Sequence, residues 1–184
     1  QWFRSYLSDR SQSVWYNGQM SATVRLRSSV PQGSVLGPNL FVLYAAEVLI
    51  IARSFGFTAH AYADDLQLYD HADPAVCESL VTRLSACVEA VASWMASSRL
   101  RLNPLKTELI WLGASRYVRQ CPTGPLLVAG TPITPSMQVR DLGVVVDSEL
   151  SLMAHVNRVT SVCYYNIRQL RALRRSLTTD AVHS

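Results

Sequence analysis

A chain of 184 residues with 49% hydrophobic and 16% charged residues can bury one core and is too apolar for a disordered tail. Its net charge of +4 is compatible with a polyanionic partner without requiring one. No apolar run reaches the roughly 18 residues of a membrane span, and the longest, 42–52, is broken by Glu47, so no membrane partner is expected.

The chain opens on Gln1 rather than Met, without a secretory pattern, and runs directly into Trp2-Phe3-Arg4-Ser5-Tyr6-Leu7, which reads as the end of a helix. It is therefore expected to be a piece of a longer protein. Ser13-Val14-Trp15-Tyr16 and Ser21-Ala22-Thr23-Val24-Arg25-Leu26 flank Asn17-Gly18, a strong hairpin signal. Val30-Pro31-Gln32-Gly33-Ser34-Val35-Leu36-Gly37-Pro38 is a Pro/Gly-rich loop, and residues 39–52 read as a largely buried helix.

Next comes Ala61-Tyr62-Ala63-Asp64-Asp65-Leu66-Gln67-Leu68-Tyr69. The flanks read as two strands and the Asp pair as the turn between them. Two carboxylates at one end of a sheet suit hard divalent cations, which can activate a hydroxyl and stabilise a leaving oxyanion in phosphoryl transfer. An Asp pair is also plain turn chemistry.

Asp73-Pro74 has the form of a helix start, and Val76, Leu80, Leu84, Cys87, Val88, Val91 and Met95 follow at helical spacing. Trp94 and Met95 read as core. Leu100-Arg101-Leu102-Asn103-Pro104-Leu105-Lys106-Thr107-Glu108 reads as a loop before the strand Leu109-Ile110-Trp111-Leu112. Residues 116–125 read as a surface connection. Leu126-Leu127-Val128-Ala129, the turn Gly130-Thr131-Pro132 and residues 138–146 suggest more strands. A final helix over 151–177 carries an apolar stripe (Leu152, Val156, Val159, Val162, Ile167, Leu170, Leu173). Its basic face holds Arg158, Arg168, Arg171, Arg174 and Arg175.

Arginine supplies 16 of the 17 basic residues, leaving Lys106 as the only lysine. The four cysteines form no Cys-x-x-Cys pair and no histidine stands at zinc spacing. Buried thiols in a reducing, intracellular compartment, nuclear or cytoplasmic, are the expectation; no targeting segment decides between the two.

Taken together, the segments resemble the palm of reverse transcriptases of LINE-type (non-LTR) retrotransposons. The resemblance starts with Trp2-Phe3-Arg4-Ser5-Tyr6-Leu7-Ser8-Asp9-Arg10, Gln12 and Val14, and passes through the Pro31-Gln32-Gly33-Ser34 loop and Leu40-Phe41. It continues through Tyr62-Ala63-Asp64-Asp65 with Gln67-Leu68-Tyr69, then Trp94-Met95, Leu100-Arg101-Leu102-Asn103 and Lys106-Thr107-Glu108. It ends with Asp141-Leu142-Gly143-Val144, Asp147 and His155. Their co-linear order carries the specificity.

The resemblance implies an α+β fold: an antiparallel, palm-like sheet packed by helices, with a C-terminal helix. Residues 1–115 correspond to a partial palm, 116–150 to strands with a primer-grip-like turn, and 151–184 to a basic helix that starts the thumb. It implies that Asp64 and Asp65 are catalytic and bind two Mg²⁺ ions, and that Lys106 serves near the leaving pyrophosphate. Pro31, Gln32, Gly33, Ser34 and Tyr62 would contact nucleotide and template. Leu142 and Gly143 would grip the primer, and Arg168, Arg171, Arg174 and Arg175 would meet phosphates. The implied partners are an RNA template, a DNA primer, deoxynucleoside triphosphates and an N-terminal fingers and palm segment.

The chain also departs from the pattern. The family places another Asp on an earlier strand in a Phe-Asp context, whereas here Asp9 and Glu47 are the acids before Asp64. Tyr44-Ala45-Ala46-Glu47-Val48 stands for the family's Tyr-Ile-Asn-Asp-Leu, and Leu66 for a common Thr. The isolated chain is therefore expected not to polymerise. The alternatives are a non-catalytic nucleic-acid-binding relic, a fragment without function and, last, a metal-dependent nuclease.

Overall fold

Asn17 and Gly18 take positive φ values of 48° and 77°, the conformation a two-residue hairpin turn demands. In the computed structural model, which describes residues 1–27, 30 and 33–173, this turn joins β2 (Trp15–Tyr16) to β3 (Gln19–Met20). The expected hairpin forms, and Ser21 N extends it by donating to Val14 O at 2.9 Å, but the rest of the second flank pairs elsewhere. Below the tip the chain opens, and β4 (Val24–Leu26) pairs with β1 (Arg10–Gln12), which follows helix α1 (Trp2–Leu7). Asp9 accepts a hydrogen bond from Arg25 at 2.5 Å at the foot of this ladder.

Helix α2 (Gly37–Ser54) begins two residues before the expected start, with Pro38 in its first turn, where a missing N–H is harmless. It is not largely buried. Val48 and Ala52 are inside, while Val42, Leu43 and Ile50 are exposed, because α2 packs along one stripe on α3 and β5 and its other apolar face is uncovered.

The strands β5 (Thr58–Tyr62) and β6 (Asp65–Tyr69) form an antiparallel hairpin. A 3₁₀ turn (Pro74–Val76) leads into α3 (Cys77–Ser97). Asp73 and Pro74 do open this segment, but Val76 lies in the 3₁₀ turn and is exposed. A second 3₁₀ turn (Pro104–Lys106) precedes β7 (Leu109–Ile110), which is shorter than expected. The short α4 (Ser115–Val118) interrupts the surface connection.

β8 (Leu126–Val128) and β9 (Thr131–Ile133) turn at Ala129-Gly130, so Thr131 and Pro132 belong to a strand rather than the turn. β10 (Pro135–Ser136) pairs in parallel with β7, and β11 (Gln138–Asp141) pairs antiparallel with β12 (Val144–Asp147). Helix α5 (Met153–Leu173) ends the described residues. The mixed α+β composition stands, but among the described residues the strands form separate two-stranded ladders rather than one sheet.

The core lies between α2, α3 and β5–β6. Val48, Ala52, Phe57, Ala59, Leu80, Cys87 and Val91 are buried together, and Trp94 and Met95 pack on them as their spacing suggested. Val88, Leu126 and Val128 form an adjoining cluster, with Leu68 and Leu84 touching both. Full burial of a Val- or Leu-sized side chain contributes about 1.5–3 kcal/mol, so this block carries most of the stability. Of the cysteines, Cys77 and Cys87 are buried, Cys121 is half-buried and Cys163 is exposed, against the expectation of buried thiols. Among the described residues no helix is long and apolar enough to cross a membrane.

Candidate active site

The β5–β6 hairpin explains why Asp64 and Asp65 stand where they do. The expected turn at the Asp pair is corrected by one residue: Tyr62 pairs with Asp65, which opens β6, so the two-residue turn is Ala63-Asp64, and Ala63 takes φ 52°. An L-residue in this region costs about 1–2 kcal/mol, so the surrounding hairpin must hold the turn. Side chains alternate along a strand, and the register puts Ala59, Leu66 and Leu68 on the face that meets the core. His60, Tyr62, Asp65, Gln67 and Tyr69 share the other face. Tyr69 Oη lies 3.1 Å from His60 Nε2 on that side. Both carboxylates are exposed at the tip, and Tyr62 beside them is 68% exposed.

The remaining sequence candidates lie on other elements. Lys106 ends the Pro104–Lys106 turn, which Asn103 caps by accepting from Leu105 N at 3.1 Å. It is exposed, and among the described residues no ion pair joins it to the Asp pair. Gly33 takes φ 80° with open space where a side chain would stand, and Ser34 O accepts from Gly37 N at 3.1 Å at the mouth of α2. Pro31 and Gln32 lie outside the described residues. Leu142 (φ 45°) and Gly143 (φ 90°) form the tight turn between β11 and β12, and space over Gly143 is open. Arg168 and Arg171 are exposed on α5, whereas Arg174 and Arg175 lie outside the described residues.

Four contacts carry structure at motif residues to which the resemblance gives no role. Gln67 Nε2 donates to Asp141 Oδ1 at 2.7 Å, linking strands 74 residues apart. Glu108 Oε2 accepts from Arg140 N at 3.2 Å, tying the segment after Lys106 to β11. Asp147 accepts from the backbone N–H groups of Glu149, Ser151 and Leu152 and from the Ser151 hydroxyl, at 2.8–3.2 Å. The Ser151 backbone bond is the largest cause holding the Asp147 carboxyl below its ordinary value; burial opposes it, and the Ser151 hydroxyl and the Leu152 and Glu149 N–H groups add to the lowering. Val145 N donates to His155 Nδ1 at 3.3 Å, seating the first turn of α5 on β12. The first two join residues 74 and 32 apart and leave no local periodicity, so sequence spacing does not reveal them.

Residues 1–149 match the family model described as reverse transcriptase (RNA-dependent DNA polymerase). The chain belongs to the reverse transcriptase family. The resemblance to LINE-type members is borne out by relatives from mobile elements. The chain is 29% identical to a probable RNA-directed DNA polymerase from transposon BS of Drosophila melanogaster over 96% of its own length and 20% of the relative's. It is 25% identical to the RNA-directed DNA polymerase from mobile element jockey of Drosophila funebris, over 98% of the chain and 20% of that protein. It is 27% identical to a probable RNA-directed DNA polymerase from transposon X-element of Drosophila melanogaster, over 85% of the chain and 17% of that protein. The chain thus spans about a fifth of the length of these curated relatives. No solved structure matches it significantly.

Reverse transcriptases generally use divalent metal ions. Among the described residues, however, no group of three or more His, Cys, Asp and Glu side chains could hold a metal ion. Two ions a few ångströms apart need carboxylates from more than one strand. The Asp64–Asp65 tip by itself does not complete such a site.

Proposed function

We propose that this chain is the part of an RNA-directed DNA polymerase palm that carries the Asp64-Asp65 turn. In the complete protein it would serve extension of a DNA primer along an RNA template from deoxynucleoside triphosphates. The observation that carries this reading is the family match over residues 1–149, with both carboxylates exposed at the tip of a hairpin whose opposite face is packed on α2 and α3. Asp64 and Asp65 are read as the pair that contributes to binding two Mg²⁺ ions together with an Asp from a further strand. Lys106 is read as the cation near the leaving pyrophosphate, where an ammonium neutralises charge or gives up a proton. Pro31, Gln32, Gly33, Ser34 and Tyr62 are read as the nucleotide and template contacts, and Leu142 and Gly143 as the primer contact. The α5 arginines are read as phosphate contacts, and the successive segments 1–115, 116–150 and 151–184 as palm, primer-grip strands and thumb start.

The incomplete metal-ligand set favours a second, narrower reading for the chain by itself, namely binding of nucleic acid without turnover. One assay separates the two levels. The purified 184-residue chain, given template–primer, nucleotides and Mg²⁺, is expected to bind more weakly as salt rises and to add no nucleotide. A longer polymerase containing this segment is expected to extend the primer and to lose extension on Asp64→Ala. Extension by the short chain that disappears in Asp64→Ala overturns the narrower reading. Full activity of the longer Asp64→Ala protein overturns the assignment of the Asp pair.

A further inference from the structure

Asp64 and Asp65 at the β5–β6 tip, the strand β7 that follows the Lys106 segment, and the Leu142-Gly143 turn belong to separate backbone ladders, so no shared sheet fixes their spacing. Strand β11 is where they meet. Its Arg140 N–H is held by Glu108, two residues past Lys106. Its next residue, Asp141, holds Gln67, two residues past Asp65. Residues two apart on a strand share a face, so the side of β6 that carries Asp65 is the side tied to β11. Immediately after Asp141 the chain enters the Leu142-Gly143 turn.

We propose that Gln67 and Asp141 are positioning residues, a partly buried amide–carboxylate bond that sets the Leu142-Gly143 turn relative to the Asp64-Asp65 turn. The Glu108–Arg140 contact brings the Lys106 segment into the same register. The role rests on the polymerase reading above. It requires neither residue to touch substrate. A hydrogen bond to a charged group is among the stronger neutral-to-ionic contacts, and at a half-buried place its loss leaves a carboxylate without its donor. Backbone placement errors near 1 Å at a reacting centre are enough to lower rates about a hundredfold, which gives a single side-chain tie the leverage the role needs.

The test exchanges the two partners. Gln67→Glu sets two carboxylates against each other, and Gln67→Glu with Asp141→Asn restores a carboxylate–amide bond in the reverse sense. Gln67→Leu removes the bond without adding charge, and serves if the Glu variant fails to fold. In the 184-residue chain, amide NMR of Leu142 and Gly143 is expected to shift in the single variants, with hydrogen exchange faster by about tenfold. Both are expected to return in the double variant, while Val128 in the core is unmoved throughout. In parallel, a template–primer with a photoreactive 3′-terminal nucleotide is expected to cross-link to residues 141–144. The yield is expected to fall about tenfold in Gln67→Glu and to recover in the double variant. Unmoved Leu142 and Gly143 signals in the single variants, or no recovery in the double, overturn the tie. Cross-linking undiminished in Gln67→Glu overturns the positioning role while leaving the polymerase reading intact. A wild-type chain that binds no template–primer overturns the reading of this chain as a nucleic-acid binder and the positioning role with it, while the NMR arm still decides whether the tie exists.

Discussion

Helices α3 and α5 are alike on paper and opposite in the fold. Each has 21 residues and an apolar stripe at helical spacing. The α3 stripe disappears into the core at Leu80, Cys87, Val88 and Val91. None of the α5 stripe is buried: Val156, Val159, Val162, Ile167, Leu170 and Leu173 are all exposed. The difference shows that periodicity reports which face of a helix is apolar and says nothing of whether this chain supplies the surface to cover it.

Charge substitution breaks the comparison most sharply. Val91→Asp is expected to remove about 3–5 kcal/mol, because it buries a carboxylate without a partner, whereas Val159→Asp is expected to change stability by no more than about 0.5 kcal/mol. Urea unfolding of the two variants measures both. Equal losses would mean that the α5 stripe is covered in solution.

Acid sharpens the comparison at the base of α5. The folded Asp147 carboxyl lies below its unfolded value, so the turn it holds is fully supported above the ordinary Asp range and loosens as pH falls through the lower, folded value. The protection of the Ser151 and Leu152 amides, relative to the unstructured exchange rate at the same pH, is therefore expected to be steady from neutrality down to about pH 4 and to fall below it, while α3 protection holds. Asp147→Ala is expected to show the lowered protection at every pH.

Thiol reactivity gives the smallest signal. Burial, and then the Cys77 sulfur 3.6 Å away, push Cys121 up to about 11, which leaves about one thiolate in a thousand at pH 8. Burial also raises Cys87. Ellman's reagent is expected to modify exposed Cys163 on α5 first, and Cys87 and Cys121 only slowly.

The turns were the most legible part of the fold. Asn17-Gly18 and Asp64 each signal reversal through their own backbone preferences and stand in tight turns, whereas the Leu142-Gly143 turn, inside a stretch that reads as strand, was indicated by the family resemblance alone. Strand partners were less legible. Arg10–Gln12 is too short and polar to show alternation, so its pairing with Val24–Leu26 could not be read. The same holds for Leu109–Ile110, whose parallel partner is the proline-led Pro135–Ser136. The exposed Asp pair was legible because both acids are neighbours in sequence. The Gln67–Asp141 and Glu108–Arg140 contacts were not, because each joins residues that only the folded chain brings together.

The capped start of α5 has a mechanical consequence. The helix is fixed to β12 through the Asp147 turn and His155, and its 21 residues at 1.5 Å each reach roughly 30 Å. A rotation of about 10° at that pivot sweeps the far end through roughly 5 Å, close to one helical pitch. Small adjustments of the hairpin that carries Leu142 and Gly143 are thus geared up along a lever, and the arginines toward its far end travel the farthest.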